Sequence, residues 1–456
     1  MKEKSEIFLE ASEIAMDRRH RQILNFNISR YDQAVNSGKK KYRNFINARD
    51  YASEVKDDVL HHLEEYLDQF SRKIESRGAH VFRASDSQKA LEIILNIIVE
   101  NQAKLAVKSK SMVTEEISFN EFAGRSGVKA VETDLGEFIV QVAGEKPYHI
   151  LTPAMHKSKE DVAALFHREF GLPEQSAPSE IASFVRNYLR KIFPEADIGV
   201  TGANFLVADI GGIGLTENEG NGCMTVSFPR IHLVIAGMER VLPSVSQLPF
   251  FYQWLAVHGT GQNISAYNSL ISGPATSTEH DGPEKMFVIL LDNRRSRIMA
   301  EEEFKPALKC IRCGSCLSAC PVYTNVGGYT FGTTYTGPIG SVITPFLENM
   351  DDFGHLPFAC SLCGKCSEVC PVKIPLHELM LQLRKKKVEE SPDPIRWKGT
   401  MKLYSRIFMK RKRLEMVKGN MINSLKGITP DPLGKYKNTA DLSPSSFSKL
   451  WKIQNR

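Results

Sequence analysis

Apolar side chains recur at helical spacing through residues 1–69, among Glu, Lys, Arg and Gln, as in Val59, Leu60, Leu63, Tyr66 and Leu67, and the run continues to Phe70. This pattern predicts a helical N-terminal arm. From about residue 79 it gives way to short apolar runs separated by helical ones. Strands are expected at 79–84, 104–108, 128–132, 137–142 and 148–151, then at 198–207, 214–217, 224–228, 231–236 and 286–292. A helix is expected at 88–101, capped by Ser85 or Asp86, with Leu91, Ile94, Leu95 and Ile98 on its apolar face. Two more are expected at 159–170 and 179–193. Strands alternating with helices predict an α/β domain over 70–298, its largely parallel sheet covered by helices.

A helical stretch at 301–308 runs into a cysteine-rich segment with no Pro, Gly or Ser linker, so the α/β domain and the segment 299–390 should pack closely. A further helix is expected at 377–389, broken by Ser391-Pro392-Asp393-Pro394, and residues 391–456 form a basic C-terminal region.

Of the 456 residues, 42% are hydrophobic and 25% charged, the composition of a soluble globular protein. The most apolar runs, 231–236 and 286–291, are far shorter than the roughly 20 residues of a membrane helix. The charge-dotted start lacks the apolar core of a secretory signal. A cytoplasmic protein is expected, peripheral to the inner face of a membrane at most. The net charge of +6 is uneven. From Leu381 onward there are 19 Lys and Arg against 6 Asp and Glu, a local net of +13, which leaves −7 on the preceding 380 residues.

Eight of the nine cysteines fall in two clusters, the pattern of a metal site and not of disulfides. The first is Cys310, Cys313, Cys316 and Cys320 followed by Pro321; the second is Cys360, Cys363, Cys366 and Cys370 followed by Pro371. Both have the bacterial ferredoxin spacing, which points to two [4Fe–4S] clusters and electron transfer. Structural zinc also takes four thiolates, but usually from two separated two-cysteine knuckles. In two-cluster ferredoxins the fourth cysteine of each motif serves the other cluster. That crossing predicts one cluster on Cys310, Cys313, Cys316 and Cys370 and another on Cys360, Cys363, Cys366 and Cys320. Gly314 and Gly364 occupy matching places in the two loops, where they give the backbone room to approach the inorganic sulfides. The Gly-, Thr- and Tyr-rich insert at 323–345 and the helical flanks at 304–309 and 376–387 suggest an α-helical dicluster ferredoxin domain. The insert either covers the clusters or docks a partner. Cys223, alone in the strand-like 223–228, reads as a plain structural residue.

The stretches VETDLGEFIVQ (131–141), HILTPAMH (149–156), GANFLVAD (202–209) and ENEGN (217–221), with Gly337-Pro338-Ile339-Gly340 and the cysteine motifs, resemble the lactate-utilisation protein B family over nearly the whole chain. The resemblance implies a LUD α/β domain, similar in fold to the sugar-isomerase and CoA-transferase-like superfamily, followed by the dicluster domain. It also implies an iron–sulfur subunit through which electrons pass as L-lactate is oxidised to pyruvate, beside a cysteine-rich A subunit and a LUD-domain C subunit.

In the α/β domain, Thr133, Asp134, Glu137, His149, Asn204, Glu217, Asn218 and Glu219 are polar residues at expected strand ends or loops, where ligand sites of open α/β sheets lie. They are candidates for a small-acid site, with Lys108, Lys110 or His149 as its cation. The plainer reading is that Asp134 and Glu219 cap helices or brace turns. No dinucleotide or P-loop fingerprint is present. The basic segments 384–387 and 410–413, with Trp397, Tyr404 and Phe408 nearby, suit anionic lipid or an acidic partner subunit. No nucleic-acid reading motif accompanies them.

Overall fold

A computed structural model describes residues 3–279, 281–390 and parts of 399–455. The chain divides into two compact units, Met1–Lys385 and Lys386–Arg456.

The larger unit is built on a six-stranded sheet. Among the described residues the strands are β1 (His80–Ala84), β2 (Leu105–Lys108), β3 (Lys129–Glu132), β4 (Ile198–Thr201), β5 (Phe205–Val207), β6 (Gly212–Glu217), β7 (Ile231–Gly237), β8 (Val241–Leu242), β9 (Tyr267–Ile271) and β10 (Lys285–Leu291). The sheet runs β1-β10-β7-β4-β2-β3, with every pairing parallel. The inner strands β4, β7 and β10 are buried almost throughout because both faces are covered there. In β7, Ile231, Leu233 and Ile235 enter one core with Ala90, Ile94 and Ile97 of the helix Ser87–Glu100. Val234 and Ala236 enter a core on the opposite face with Leu67, Phe70 and Ile74 of the helix Leu63–Glu75. A smaller mixed sheet, β8-β5-β6-β9, packs beside it.

Five expected elements are different. Residues 137–142 are not a strand but part of the helix Leu135–Val142, and 224–228 fall largely in the helix Asn221–Ser227. Each is a short apolar run that periodicity cannot assign, and each follows a side-chain cap on its first amides, Asp134 in one case and Glu217 in the other. Residues 148–151 form no strand, since the His149 ring nitrogen takes the amides of Leu151 and Thr152 that a ladder would use. The stretch 198–207 is two strands separated at 202–204, and 301–308 holds only a tight 3-10 turn, Lys305–Lys309, with Pro306 near its start. The helix Leu248–Gly259 was not anticipated. It is apolar nearly all round, so it shows little amphipathic period.

The N-terminal arm comprises Lys4–Ala11, Arg18–Lys39, Phe45–His61 and Leu63–Glu75. The cysteine segment has only short helices until Gly337–Leu347 and Leu376–Glu390. Among the described residues no helix is long and apolar enough to cross a membrane. In the smaller unit, Gly419–Leu425 and Phe447–Gln454 are helical. The expected break at 391–394, Trp397, Tyr404, Phe408 and residues 411–413 lie outside the described residues.

Candidate functional site

The two cysteine motifs have the same local shape. Arg312 and Leu362, each two residues after the first cysteine of its motif, adopt φ of 61° and 56°. This left-handed turn points their amides back at Cys310 Sγ (3.4 Å) and Cys360 Sγ (3.2 Å). Gly314 and Gly364 follow at φ 75° and 79°, conformations that side chains disfavour. After the fourth cysteines, the amides of Tyr323 and Ile374 reach Cys320 Sγ (3.5 Å) and Cys370 Sγ (3.3 Å). Donors aimed at sulfur stabilise thiolate charge.

One cavity is lined by Cys310, Cys313, Cys316 and Cys370, and a second by Cys320, Cys360, Cys363 and Cys366. The sulfurs surround space instead of meeting at a point. Among the described residues no three His, Cys, Asp or Glu side chains are close enough to hold a single ion. Burial pushes the thiols of Cys313, Cys316 and Cys320 upward, that of Cys366 to about 11 and that of Cys370 to about 12. Four cysteines around each of two cavities are the donor set that a pair of [4Fe–4S] clusters takes.

Cationic side chains from outside the motifs hold the loops. Arg49 donates to the carbonyls of Cys370 (2.7 Å) and Ser367 (2.8 Å), and Arg384 to those of Pro357 (2.9 Å) and Cys360 (2.5 Å). Trp254 Nε1 donates to Pro371 O at 3.1 Å. Arg312 is buried 4.5 Å over the Tyr335 ring and 3.3 Å from Glu239. Burial works against its charge, but Cys310, Tyr335 and Glu239 outweigh burial and keep the guanidinium protonated. Glu239 in turn meets Arg295 at 2.6 Å, which reaches Glu116 at 2.8 Å, and Glu116 accepts from Tyr335. This buried chain of charges joins the end of the sheet to the first cysteine loop. Sequence reasoning missed it. Its only trace is charged residues inside or beside apolar runs, such as Glu239-Arg240 after β7.

The α/β candidates fall in several places. Asp134 Oδ1 caps the helix Leu135–Val142 through the amides of Gly136 (2.9 Å) and Glu137 (3.1 Å), and Glu219 accepts from Leu135 N at 3.3 Å. Both line an open cavity of about 620 Å³ with Tyr31, Thr152 and Lys157. Glu137 lines a separate cavity of about 220 Å³ with Glu132 and Glu115, its carboxyl held well above the ordinary value by burial and by Glu132. His149 is buried and held down to about 3 by burial, its Nε2 without a partner. Asn204 accepts from Thr216 N (2.9 Å), Glu217 from the amides of Gly222 (2.7 Å) and Cys223 (2.8 Å), and Asn218 from Ala266 N (3.0 Å). Thr133 is buried, its hydroxyl bonded to Lys108 O (3.1 Å). Of the candidate cations, Lys108 is fully engaged by Thr114 (2.9 Å), Glu115 (3.0 Å) and Glu132 (2.8 Å), and Lys110 donates to Leu151 O. Cys223 stands in a helix, not a strand, 3.1 Å from the Ser269 hydroxyl.

A family model described as a LUD domain matches residues 67–291, and one described as a 4Fe-4S dicluster domain matches residues 306–374. The chain accordingly carries two [4Fe–4S] clusters. Lactate utilization protein B of Bacillus velezensis is 43% identical over 363 residues, 79% of this chain and 76% of that protein. The protein of the same name from Bacillus subtilis is 43% identical over 78% of this chain and 74% of its own length, and that from Geobacillus thermodenitrificans 43% over 78% and 75%. A solved structure of a DUF162 family protein from Deinococcus radiodurans aligns with 50% of this chain and 98% of its own at 15% identity and a TM-score of 0.28, too low to bear on the fold. Identity at this level across more than two thirds of both chains, over a LUD domain followed by a dicluster domain, shows that the chain belongs to the lactate utilization protein B family.

Proposed function

We propose that this chain is the electron-transfer subunit of a complex that oxidises L-lactate to pyruvate, working beside a cysteine-rich A subunit and a LUD-domain C subunit. Its iron–sulfur domain spans 299–390, between the LUD domain and the basic C-terminal region. Oxidation of lactate releases two electrons and two protons, and each cluster, when bound, accepts and gives up one electron. We assign Cys310, Cys313, Cys316 and Cys370 to one cluster and Cys360, Cys363, Cys366 and Cys320 to the other. The observation that carries this reading is the grouping of the eight cysteines around two cavities, each taking its fourth sulfur from the other motif.

The protein's part in the transfer is to hold charge in place. Amides at Arg312, Leu362, Tyr323 and Ile374 direct donors at sulfur and stabilise the added electron. Arg312 sets a permanent positive charge beside Cys310, and the apolar packing of Ile311, Leu317, Ile339 and Ile374 keeps water from the first site. The LUD domain has Asp134 and Glu219 on one cavity wall, and there we place its small-ligand site. The family membership supports lactate as the source of electrons, and the surplus of Lys and Arg after Leu381 supports a peripheral contact with an anionic membrane on the cytoplasmic side.

The test is anaerobic purification with the partner subunits, iron and sulfide analysis, and EPR after adding L-lactate. Eight iron and eight sulfide per chain, with signals that appear on L-lactate and not on buffer, are expected. Zinc in place of iron, or clusters that L-lactate leaves oxidised, would exclude the reading.

A further inference from the structure

The two motifs share a backbone but not an environment. In the first, Arg312, Cys313, Gly314 and Ser315 are all buried. A Cβ placed on Gly314 would lie 3.0 Å from Leu151 and 3.5 Å from His149, both in the α/β domain, and the Ser315 hydroxyl donates to His258 O at 2.7 Å. In the second, Ser361, Cys363 and Lys365 are exposed, and a Cβ on Gly364 would meet no atom within 4 Å. Since Gly314 and Gly364 have nearly the same φ, the loops themselves do not cause the difference. What packs on them does. The α/β domain covers the first motif, while Cys363 alone among the nine cysteines is exposed.

From this asymmetry we infer that the relay is polarised: the cluster of the second motif is the port through which the chain exchanges electrons with another redox protein, and the cluster of the first motif is its inner end, closed against the α/β domain. The inference rests on the reading of the chain as an electron-transfer subunit and adds a direction to it. At the port one electron passes between the partner's centre and the centre held by Cys360, Cys363, Cys366 and Cys320. One is oxidised and the other reduced, and no bond or proton moves.

The surface around the port says what kind of partner it fits. Phe358, 50% exposed, lies beside Cys360 with the Arg384 guanidinium 5.6 Å over its ring, and Leu381, 53% exposed, lies one turn back on the same helix as Arg384. Aromatic, arginine and aliphatic side chains of this sort are what protein interfaces bury at their centres. Lys365 and Glu368 pair at 2.9 Å at the rim, while Arg384 heads the basic run 384–387 on the helix that carries Leu381. A protein with an apolar contact face over its own redox centre is the fitting occupant.

Power-saturation EPR of the reduced chain, with and without an aqueous dysprosium complex, tests this. One cluster signal should relax several-fold faster with dysprosium and the other should hardly change. Cys363→Ser should alter the responsive signal, and Cys313→Ser the silent one. In the complex purified with its partner subunits, the responsive signal should become silent, and Phe358→Glu should restore its response while iron and sulfide contents stay at the parent's level. Equal responses from both clusters, a responsive signal altered by Cys313→Ser, a responsive signal that stays so in the intact complex, or Phe358→Glu leaving it silent there would overturn the polarity. If no cluster signal appears at all, the electron-transfer reading itself fails.

Discussion

Arg295 is buried to 1% exposure between Glu116 and Glu239, each of which has a further cationic or hydroxyl partner. Burial alone would drive Glu239 toward its neutral form, yet Arg295, Arg312 and Arg240 hold it down to about 2. Removing the shared cation strands two carboxylates, so Arg295→Met is expected to cost about 3–5 kcal/mol in urea denaturation, the usual range for breaking a buried pair. Arg83, exposed and paired with Glu64 and Asp68, provides the contrast: Arg83→Met should cost less than about 1 kcal/mol. His232 makes a second residue-level prediction. Burial holds it down to about 3, from an ordinary 6.5, while Nε2 pairs with the Thr201 hydroxyl at 2.8 Å. The unfolded chain therefore binds a proton that the folded chain refuses, and stability is lost as pH falls from 6.5 toward 3. Between pH 7.5 and 5 this one group should remove roughly 2 kcal/mol. His232→Gln should flatten the pH dependence of the urea midpoint by that amount, and an unchanged slope would refute the assignment. The cysteines were legible in the sequence because their spacing is local. Glu116, Glu239, Arg295 and Arg312 were not, because what matters is that distant segments meet.

At the level of elements, long periodic segments were readable and short apolar runs were not. The helix Lys159–Phe170 matches its expected span because Ser158 and Asp161 form a reciprocal cap and Gly171 ends it at φ 71°. The run 224–228 reads as a strand until one sees the helix Asn221–Ser227 seated on β4, where a Cβ on Gly199 would come within 1.8 Å of the Thr225 carbonyl. That contact explains a glycine in a central strand, which otherwise only weakens it. Gly199→Ala must push the helix off the sheet and is expected to cost about 1–3 kcal/mol or more, the range for overpacking. Gly124, in the helix Phe119–Arg125 with nothing within 4 Å of an added Cβ, is the control. Gly124→Ala should be neutral or stabilising, since alanine is the better helix former. Thermal melts of the two variants beside the parent separate these outcomes.

The larger unit is held together by a core that ignores the boundary between the two family domains. One hydrophobic cluster takes Phe251, Trp254 and Leu255 from the helix Leu248–Gly259, Ala52 and Val55 from the arm, and Ile339, Val342, Leu376 and Leu383 from the cysteine-rich segment. The sheet's own cores, around Ile94 and Ile235 on one face and Phe70 and Val288 on the other, are separate from it. Close packing of the two domains was readable from the missing linker before Cys310, but the shared helix was not, because its uniform apolarity carries no period. The division of cores predicts how the protein fails. Cluster binding supplies folding free energy to the segment that ligates it, since short helices and left-handed turns around Cys310 and Cys360 have little regular structure of their own. Stripping iron with a chelator should therefore loosen the shared core and leave the sheet folded. Hydrogen exchange on the stripped protein is expected to show protection lost together at 45–61, 248–259 and 304–383, and retained at Ile231–Gly237 and Lys285–Leu291. If 248–259 keeps its protection while 304–383 loses it, the helix belongs energetically to the α/β domain and the shared core is not a cooperative unit.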